Sequence, residues 1–126
     1  FEIKNIIFAG FRIDTPDVLS AFDIFIFPSH AEAFGLALIE AMAMEKPSVC
    51  ANADGVLDIA VDGKTNLLFQ NKNAVDLSTK TEQLIVDKNK RLLMGKAARE
   101  RVLKNFDIEI ITDKTIQFYN QSINEK

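Results

Sequence analysis

The sequence predicts an α/β fold: a Rossmann-like parallel sheet with flanking helices, followed by a helical C-terminal segment. Short apolar runs alternate with helical patterns up to residue 71, and the connections between them are short. Such alternation produces right-handed crossovers and therefore a parallel sheet. From residue 72 onward the pattern is helical, so 72–126 is the predicted all-helical portion. The 126 residues fit one domain with a single core.

In the first half, apolar runs predict four strands, and the segments between them predict three helices. Pro16 follows Asp14 and Thr15, which is typical of a helix start because both polar residues cap well and proline suits the first turn. The continuous apolar run at 24–27 is typical of a strand covered on both faces. The predicted strands are 6–11, 24–27, 47–51 and 66–69, and the predicted helices are 16–22, 35–45 and 54–61. The strand phenylalanines are expected in the core: Phe8, Phe11, Phe25, Phe27 and Phe69.

The second half predicts three helices. Asn73 caps a helix that extends to about Val86, and Asp87 to Asn89 is expected to break it. The next two helices are predicted at 90–105 and 108–123. Seven of the 15 basic residues lie between Lys88 and Lys104, a cluster that we interpret as the solvated face of a helix.

Composition excludes several classes of function. The net charge of -3 gives no electrostatic case for nucleic acid. One cysteine, Cys50, and one histidine, His30, exclude an internal disulfide and a cysteine-rich or multi-histidine metal site. The single cysteine also leads us to expect a reducing, cytoplasmic setting. No apolar run of about 18 residues is present to span a membrane. Because the sequence starts at Phe1 without a signal-peptide pattern, we expect it to be part of a longer protein.

Polar and glycine residues follow the predicted strands in three loops, at 10–13, 29–34 and 52–55. Ligands of an open parallel sheet bind outside the carboxyl ends of its strands. The middle loop leads into a helix at Gly35, where glycine permits close approach of a ligand. The N–H groups of 34–37 would then carry the positive end of the helix dipole, which suits a phosphate or diphosphate. Glu32 and Glu40 would accept hydrogen bonds from neutral hydroxyls beside it, so a nucleotide sugar is a suitable ligand.

The segment EAFGLALIE, from Glu32 to Glu40, resembles the mark of the retaining GT-B glycosyltransferases called family 4 or group 1, which is two glutamates separated by seven residues. Blocks on either side resemble the same family in the same order: FAGFR at 8–12, AFDIFIFPS at 21–29, EAMA at 40–43, KPSV at 46–49, DGV at 54–56, VDG at 61–63 and MGKAAR at 94–99. The ordered series is far more specific than the glutamate pair alone.

The resemblance implies that 1–126 is an incomplete C-terminal domain that binds a nucleoside-diphosphate sugar for transfer of a hexose to an acceptor hydroxyl with retention. Glu32, the catalytic residue in this assignment, would contact sugar hydroxyls near the reacting carbon. Phe34, Gly35 and Leu36 would offer backbone N–H groups, and Glu40 would hold the ribose. Arg12 falls where a nucleobase is often stacked or framed. The family usually needs no bound metal in its donor site, so the resemblance implies no cofactor.

The resemblance also implies partners outside this sequence. The carbohydrate or lipid-linked acceptor would bind an N-terminal domain, and a basic pair that neutralises the diphosphate would lie upstream. We therefore expect 1–126 alone to be inactive. The sheet edge left exposed would pair two copies of the fragment, and the full-length protein would be cytoplasmic or peripheral to a membrane.

Two other functions compete with this one. A GT-B nucleotide-sugar epimerase would need further acidic and histidine residues near the site, where only His30 is present. A non-enzymatic α/β interaction module of the receiver type would need acidic residues after a strand, whereas Asp23 precedes one. For His30 we favour a role in shaping the loop, and for Asp54 and Asp58 we favour helix capping.

Overall fold

The computed structural model describes residues 5–124, which form three strands and six helices. The helices are α1 (Thr15–Ser20), α2 (Leu36–Ala43), α3 (Asp54–Ile59), α4 (Ala74–Val86), α5 (Lys88–Asn105) and α6 (Ile108–Asn124). The strands are β1 (Phe25–Phe27), β2 (Ser48–Ala51) and β3 (Asn66–Phe69). The six predicted helices are all present, and the predicted α/β class with a helical C-terminal segment is confirmed.

The three strands form one parallel sheet in the order β1-β2-β3. Phe27, Cys50 and Leu68 lie side by side in register and therefore point to the same face. Because the strands are parallel and successive, their carboxyl ends meet at one edge of the sheet. The loops that follow β1 and β2 are thereby brought together.

Helices cover both faces of the central strand β2, which is completely buried. On one face, Cys50 packs with Leu38 and Met42 of α2 and with Ala98 of α5. On the other face, Val49 packs in a second cluster that includes Leu84 of α4 and Met94 of α5. The strand β1 is covered less completely than its apolar run predicts, since the side chain of Ile26 is 43% exposed.

Cys50 is a core residue, as its apolar strand predicts. Its thiol is fully buried, and burial, with a smaller contribution from the charge of Asp62, raises its pKa to about 12. A thiol with such a pKa stays protonated at neutral pH, so it packs as a small apolar group.

The predicted strand at 6–11 is wrong. These residues form no regular element and pair with no strand within the described part of the chain. Phe8 and Phe11, expected in the core, are 94% and 92% exposed. An apolar run becomes a buried strand only when a neighbouring strand accepts its hydrogen bonds, and among residues 5–124 β1 is bonded to β2 alone.

The helix boundaries differ from the prediction by a few residues. The break expected at 87–89 is reduced to Asp87, whose carboxylate accepts a hydrogen bond from the backbone amide of Lys90 at 2.9 Å. Asp87 thus ends α4 and caps α5, which starts at Lys88. Asn73 caps α4 as predicted, accepting from the amide of Asp76 at 3.0 Å. Within residues 5–124, no helix is both long enough and apolar enough to cross a membrane.

Candidate functional site

The loops after β1 and β2 enclose an open cleft of about 640 Å³ at the carboxyl edge of the sheet. Its lining is Ala31, Glu32, Ala33, Asp54, Gly55 and Asp58. Two of the three predicted site loops, at 29–34 and 52–55, are therefore in contact. The amide of Gly55 donates a hydrogen bond to the carbonyl of Glu32 at 2.9 Å, which joins them.

The N-terminus of α2 lies at the end of the first of these loops and carries no side-chain cap. Gly35 occupies the cap position with φ 84° and ψ 49°, a left-handed conformation that favours glycine. Within the described residues, the backbone amides of 34–37 donate no hydrogen bond. Free amides at a helix start require water or a ligand as acceptor, and the helix dipole favours an anionic one. This end of α2 can therefore bind an anion such as a phosphate.

The two glutamates occupy different positions around this helix end. Glu32 is half-buried and lines the cleft. Glu40 lies on the exposed face of α2 together with Leu36 and Ala37, as their spacing predicts. Glu40 is not among the residues that line the cleft. A ligand held by both glutamates would extend from the cleft across the start of α2.

Phe34 is 45% exposed, and its ring lies edge-on to that of Phe106, with 6.1 Å between the ring centroids. The contact restrains the side chain of Phe34, whose backbone amide donates no hydrogen bond within the described residues. Phe106 follows α5 and packs on the core. Sequence reasoning missed this residue, because no local pattern relates it to the loop.

Arg12 lies outside the cleft in this structure. Its Nε donates to Oδ1 of Asp14 at 2.7 Å, and its Nη2 contacts the other carboxylate oxygen. The hydrogen bond from Arg12 holds the pKa of Asp14 below its ordinary value and raises the pKa of the guanidinium. The assignment of Arg12 to a nucleobase stays a prediction.

Asp54 and Asp58 line the cleft, and the expectation that they cap a helix is wrong. Ala53 occupies the cap position of α3, and no side chain forms a cap hydrogen bond there. Asp54 lies in the first turn, and Asp58, four residues later, lies on the same side of α3. The four-residue spacing of the two aspartates could have predicted from the sequence that they share one face of a helix.

The loop after β3 also contacts the site loop. The side-chain Nδ2 of Asn71 donates to the carbonyl of His30 at 2.9 Å. The loop around His30 is therefore anchored from two sides, by Asn71 and by Gly55. Among residues 5–124, no three His, Cys, Asp or Glu side chains are arranged to hold a metal ion.

A family model described as glycosyl transferases group 1 matches residues 2–101. Among curated proteins, the chain is 34% identical over 103 residues to the capsular polysaccharide biosynthesis glycosyltransferase CapM of Staphylococcus aureus, covering 82% of this chain and 27% of CapM.

Solved structures with the same fold include the following two. Alr3699/HepE of Anabaena, in complex with UDP, has a TM-score of 0.86 and 26% identity, covering 90% of this chain and 31% of HepE. The C-terminal domain of a group 1 glycosyl transferase, LpcC of Francisella tularensis, has a TM-score of 0.73 and 28% identity, covering 82% of this chain and 53% of that domain. The chain thus spans less than a third of the length of CapM and of HepE.

Proposed function

The chain belongs to the glycosyl transferases group 1 family, and on this basis we propose that it is the donor-binding part of a glycosyltransferase. In the proposed reaction, a hexose moves from a nucleoside-diphosphate sugar to an acceptor hydroxyl with retention of anomeric configuration. The bond between the anomeric carbon and the diphosphate oxygen breaks, and the diphosphate keeps the electron pair. A bond forms to the acceptor oxygen, and the proton that this oxygen loses passes to the departing nucleoside diphosphate or to water.

The uncapped N-terminus of α2 is the observation that carries this proposal. A diphosphate placed there would accept hydrogen bonds from the amides of Phe34, Gly35 and Leu36, which have no other acceptor within residues 5–124. Fixed N–H donors stabilise negative charge as it develops on a leaving group. The UDP complex of the similar HepE supports a nucleotide ligand for this fold.

The carboxylates would bind the neutral parts of the donor. Glu32, in the cleft, would accept hydrogen bonds from the transferred sugar near its reacting carbon. Glu40, on the exposed face of α2, would accept them from the ribose. Arg12 would frame the nucleobase, for which it would exchange its contact with Asp14. The site needs no metal or cofactor in this proposal.

A thermal-shift screen of the full-length protein against UDP, GDP and ADP tests the proposal. A ligand at 100 times its Kd stabilises the folded state by about 2.7 kcal/mol, so one nucleotide is expected to raise Tm clearly. Glu40→Ala should abolish most of that rise. Glu82→Ala is the matched control, because Glu82 is also an exposed helix glutamate but lies on α4. A wild-type protein that responds to no nucleotide would refute the proposal.

We further propose that residues 1–126 alone bind nucleotide sugars weakly and transfer no sugar, because the basic pair that neutralises the diphosphate and the acceptor site are expected in preceding segments. Turnover by the isolated chain would contradict this. Isolated copies are expected to pair through the free edge of β1, which is bonded only to β2 within residues 5–124. A monomer in light scattering would contradict the pairing.

A further inference from the structure

Arg101, on α5, binds the last turn of α3 and does not line the cleft. Its Nε donates to the carbonyl of Ile59, and its Nη2 donates to the carbonyl of Asp58 at 2.8 Å. Carbonyls at a helix C-terminus lack partners within the helix and carry the negative end of its dipole, so a cation is favourable there. The guanidinium fork thereby fixes the end of the helix that carries Asp58 into the cleft.

Ile59 transmits this restraint to the start of α2. Its side chain is fully buried, and its Cδ1 lies 3.3 Å from the position that a Cβ on Gly35 would occupy. The side chain of Ile59 therefore packs against Gly35, and a methyl group on Gly35 would fit only if Ile59 shifted by a few tenths of an ångström. A shift of the end of α3 would move the side chain of Ile59 and remove the packing contact that supports the left-handed conformation of Gly35.

A second route leads from Arg101 to the same segment through Phe106. The guanidinium carbon lies 5.9 Å from the centroid of the Phe106 ring, within the range of a cation–π contact. Phe106 in turn makes the edge-on contact with Phe34. Arg101 is thus two contacts away from Phe34 and two contacts away from Gly35, the first two residues of the amide segment 34–37.

We propose that Arg101 is a positioning residue for the amide segment 34–37 and thereby for the diphosphate of a nucleotide sugar, an inference that rests on the proposed function. Two of its five N–H groups donate to the carbonyls of α3, and Arg101 is not among the residues that line the cleft. It therefore acts through Ile59 and Phe106 and not by direct contact with the ligand. Without the two hydrogen bonds of Arg101, the amides of 34–37 would no longer be held pointing toward one ligand position. We expect this to lower the affinity for a diphosphate while the domain remains folded.

Arg99 provides a matched control two positions away on α5. It also donates to a helix-terminal carbonyl, that of Ala43 at the end of α2, and it lies 3.9 Å from the carboxylate of Glu45. It has no described contact with the aromatic pair formed by Phe34 and Phe106. Arg99→Met and Arg101→Met therefore remove the same kind of interaction, and only the second should affect the site.

The test is calorimetric titration of the full-length protein with UDP, at a temperature where circular dichroism shows each variant folded. Arg101→Met is expected to weaken UDP binding about tenfold, whereas Arg99→Met leaves it within twofold of wild type. Arg101→Lys should recover part of the loss, because an ammonium can reach one carbonyl but cannot reproduce the fork. With a nucleotide-sugar donor, KM should rise more than kcat falls.

Phe106→Leu keeps the carbonyl contacts of Arg101 and removes only the ring between it and Phe34. It should weaken UDP binding by a few-fold, and it decides the matter if Arg101→Met does not fold. Equal UDP affinity in wild type, Arg101→Met and Phe106→Leu would overturn this inference while leaving the proposed function intact. A wild-type protein that binds no nucleotide would overturn both.

Discussion

Gly55 and Glu32 approach so closely that their backbones exclude any side chain between them. The Gly55 amide donates to the Glu32 carbonyl at 2.9 Å, and a Cβ on Gly55 would lie 2.5 Å from that same oxygen. It would lie 2.4 Å from the carbonyl oxygen of Ala33. The start of α3 therefore holds the loop before α2 in place, and only glycine permits this contact.

Gly55→Ala should displace the loop and weaken nucleotide binding more than tenfold. The new methyl group meets backbone atoms that cannot rotate away, and overpacking of this kind costs about 1–3 kcal/mol of folding free energy. UDP titration and urea denaturation of the full-length protein measure the two effects. Gly63→Ala is the control, because Gly63 has φ 71° with open space around its Cα. It should lose about 1 kcal/mol of stability through backbone strain alone and keep its UDP affinity.

Asn71→Ala should release His30 and its loop. The bond from Nδ2 to the His30 carbonyl contributes about 1 kcal/mol to the free energy of unfolding. Asn73→Ala should cost a similar amount, because it removes the cap of α4. Only the first variant should also weaken UDP binding, since the side-chain hydrogen bonds of Asn73 go to Gln70 and Asp76 and not to the site loop. Identical UDP affinities in the two variants would show that the anchor at His30 is irrelevant to the site.

Lys72→Gly should stabilise the protein by up to about 1 kcal/mol. Lys72 has φ 64°, and this left-handed conformation costs a residue with a Cβ about 1–2 kcal/mol, partly offset by the greater freedom of glycine in the unfolded chain. Lys64→Gly, at a turn residue without positive φ, should instead destabilise by about 0.5–1 kcal/mol. The urea midpoint should therefore rise in Lys72→Gly and fall in Lys64→Gly. Midpoints that both rise or both fall would contradict the conclusion that the backbone of Lys72 is strained.

The carboxyl of Asp14 should titrate below its ordinary range because Arg12 hydrogen-bonds its ionised form. A depressed pKa in the folded state stabilises the fold above the unfolded-state pKa, and the effect disappears as pH falls through the folded-state pKa. The pair is solvent-exposed, so this contribution is small. Carbon-detected NMR titration should show the Asp14 pKa rising in Arg12→Gln. It should also rise on nucleotide binding if Arg12 moves to the base. An unchanged pKa in Arg12→Gln would contradict the pairing.

The order of elements from β1 to α6 could be predicted from the sequence because each element carries a local signal. Apolar runs identify β1 to β3, Asn73 identifies the start of α4, and the spacing of Glu40 from Leu36 identifies their shared face. The strand at 6–11 could not be judged in this way, because an apolar run does not reveal whether a neighbour is present to accept its hydrogen bonds.

The residues that hold the site loops in place, Arg101 and Asn71, could not be predicted from local sequence patterns. Arg101 lies 42 residues from Ile59 in sequence, and Asn71 lies 41 residues from His30. Each is an ordinary polar residue within its own helix or turn. Only the tertiary fold brings Arg101 of α5 to the end of α3 and Asn71 of the β3–α4 loop to the loop of His30. The two loops that form the cleft were thus predictable from the sequence, whereas the residues that contact those loops from other elements required the structure.

Cys50 makes this sequence a convenient background for reporter chemistry. Its thiol is fully buried and, with a pKa raised to about 12, has almost no thiolate at pH 7.5. Maleimide reagents should therefore leave the thiol of Cys50 unmodified. A cysteine introduced at an exposed position, such as Ser122 on α6, would then be the preferred labelling site within residues 1–126. A fluorophore placed there could follow binding or assembly without first replacing a core residue.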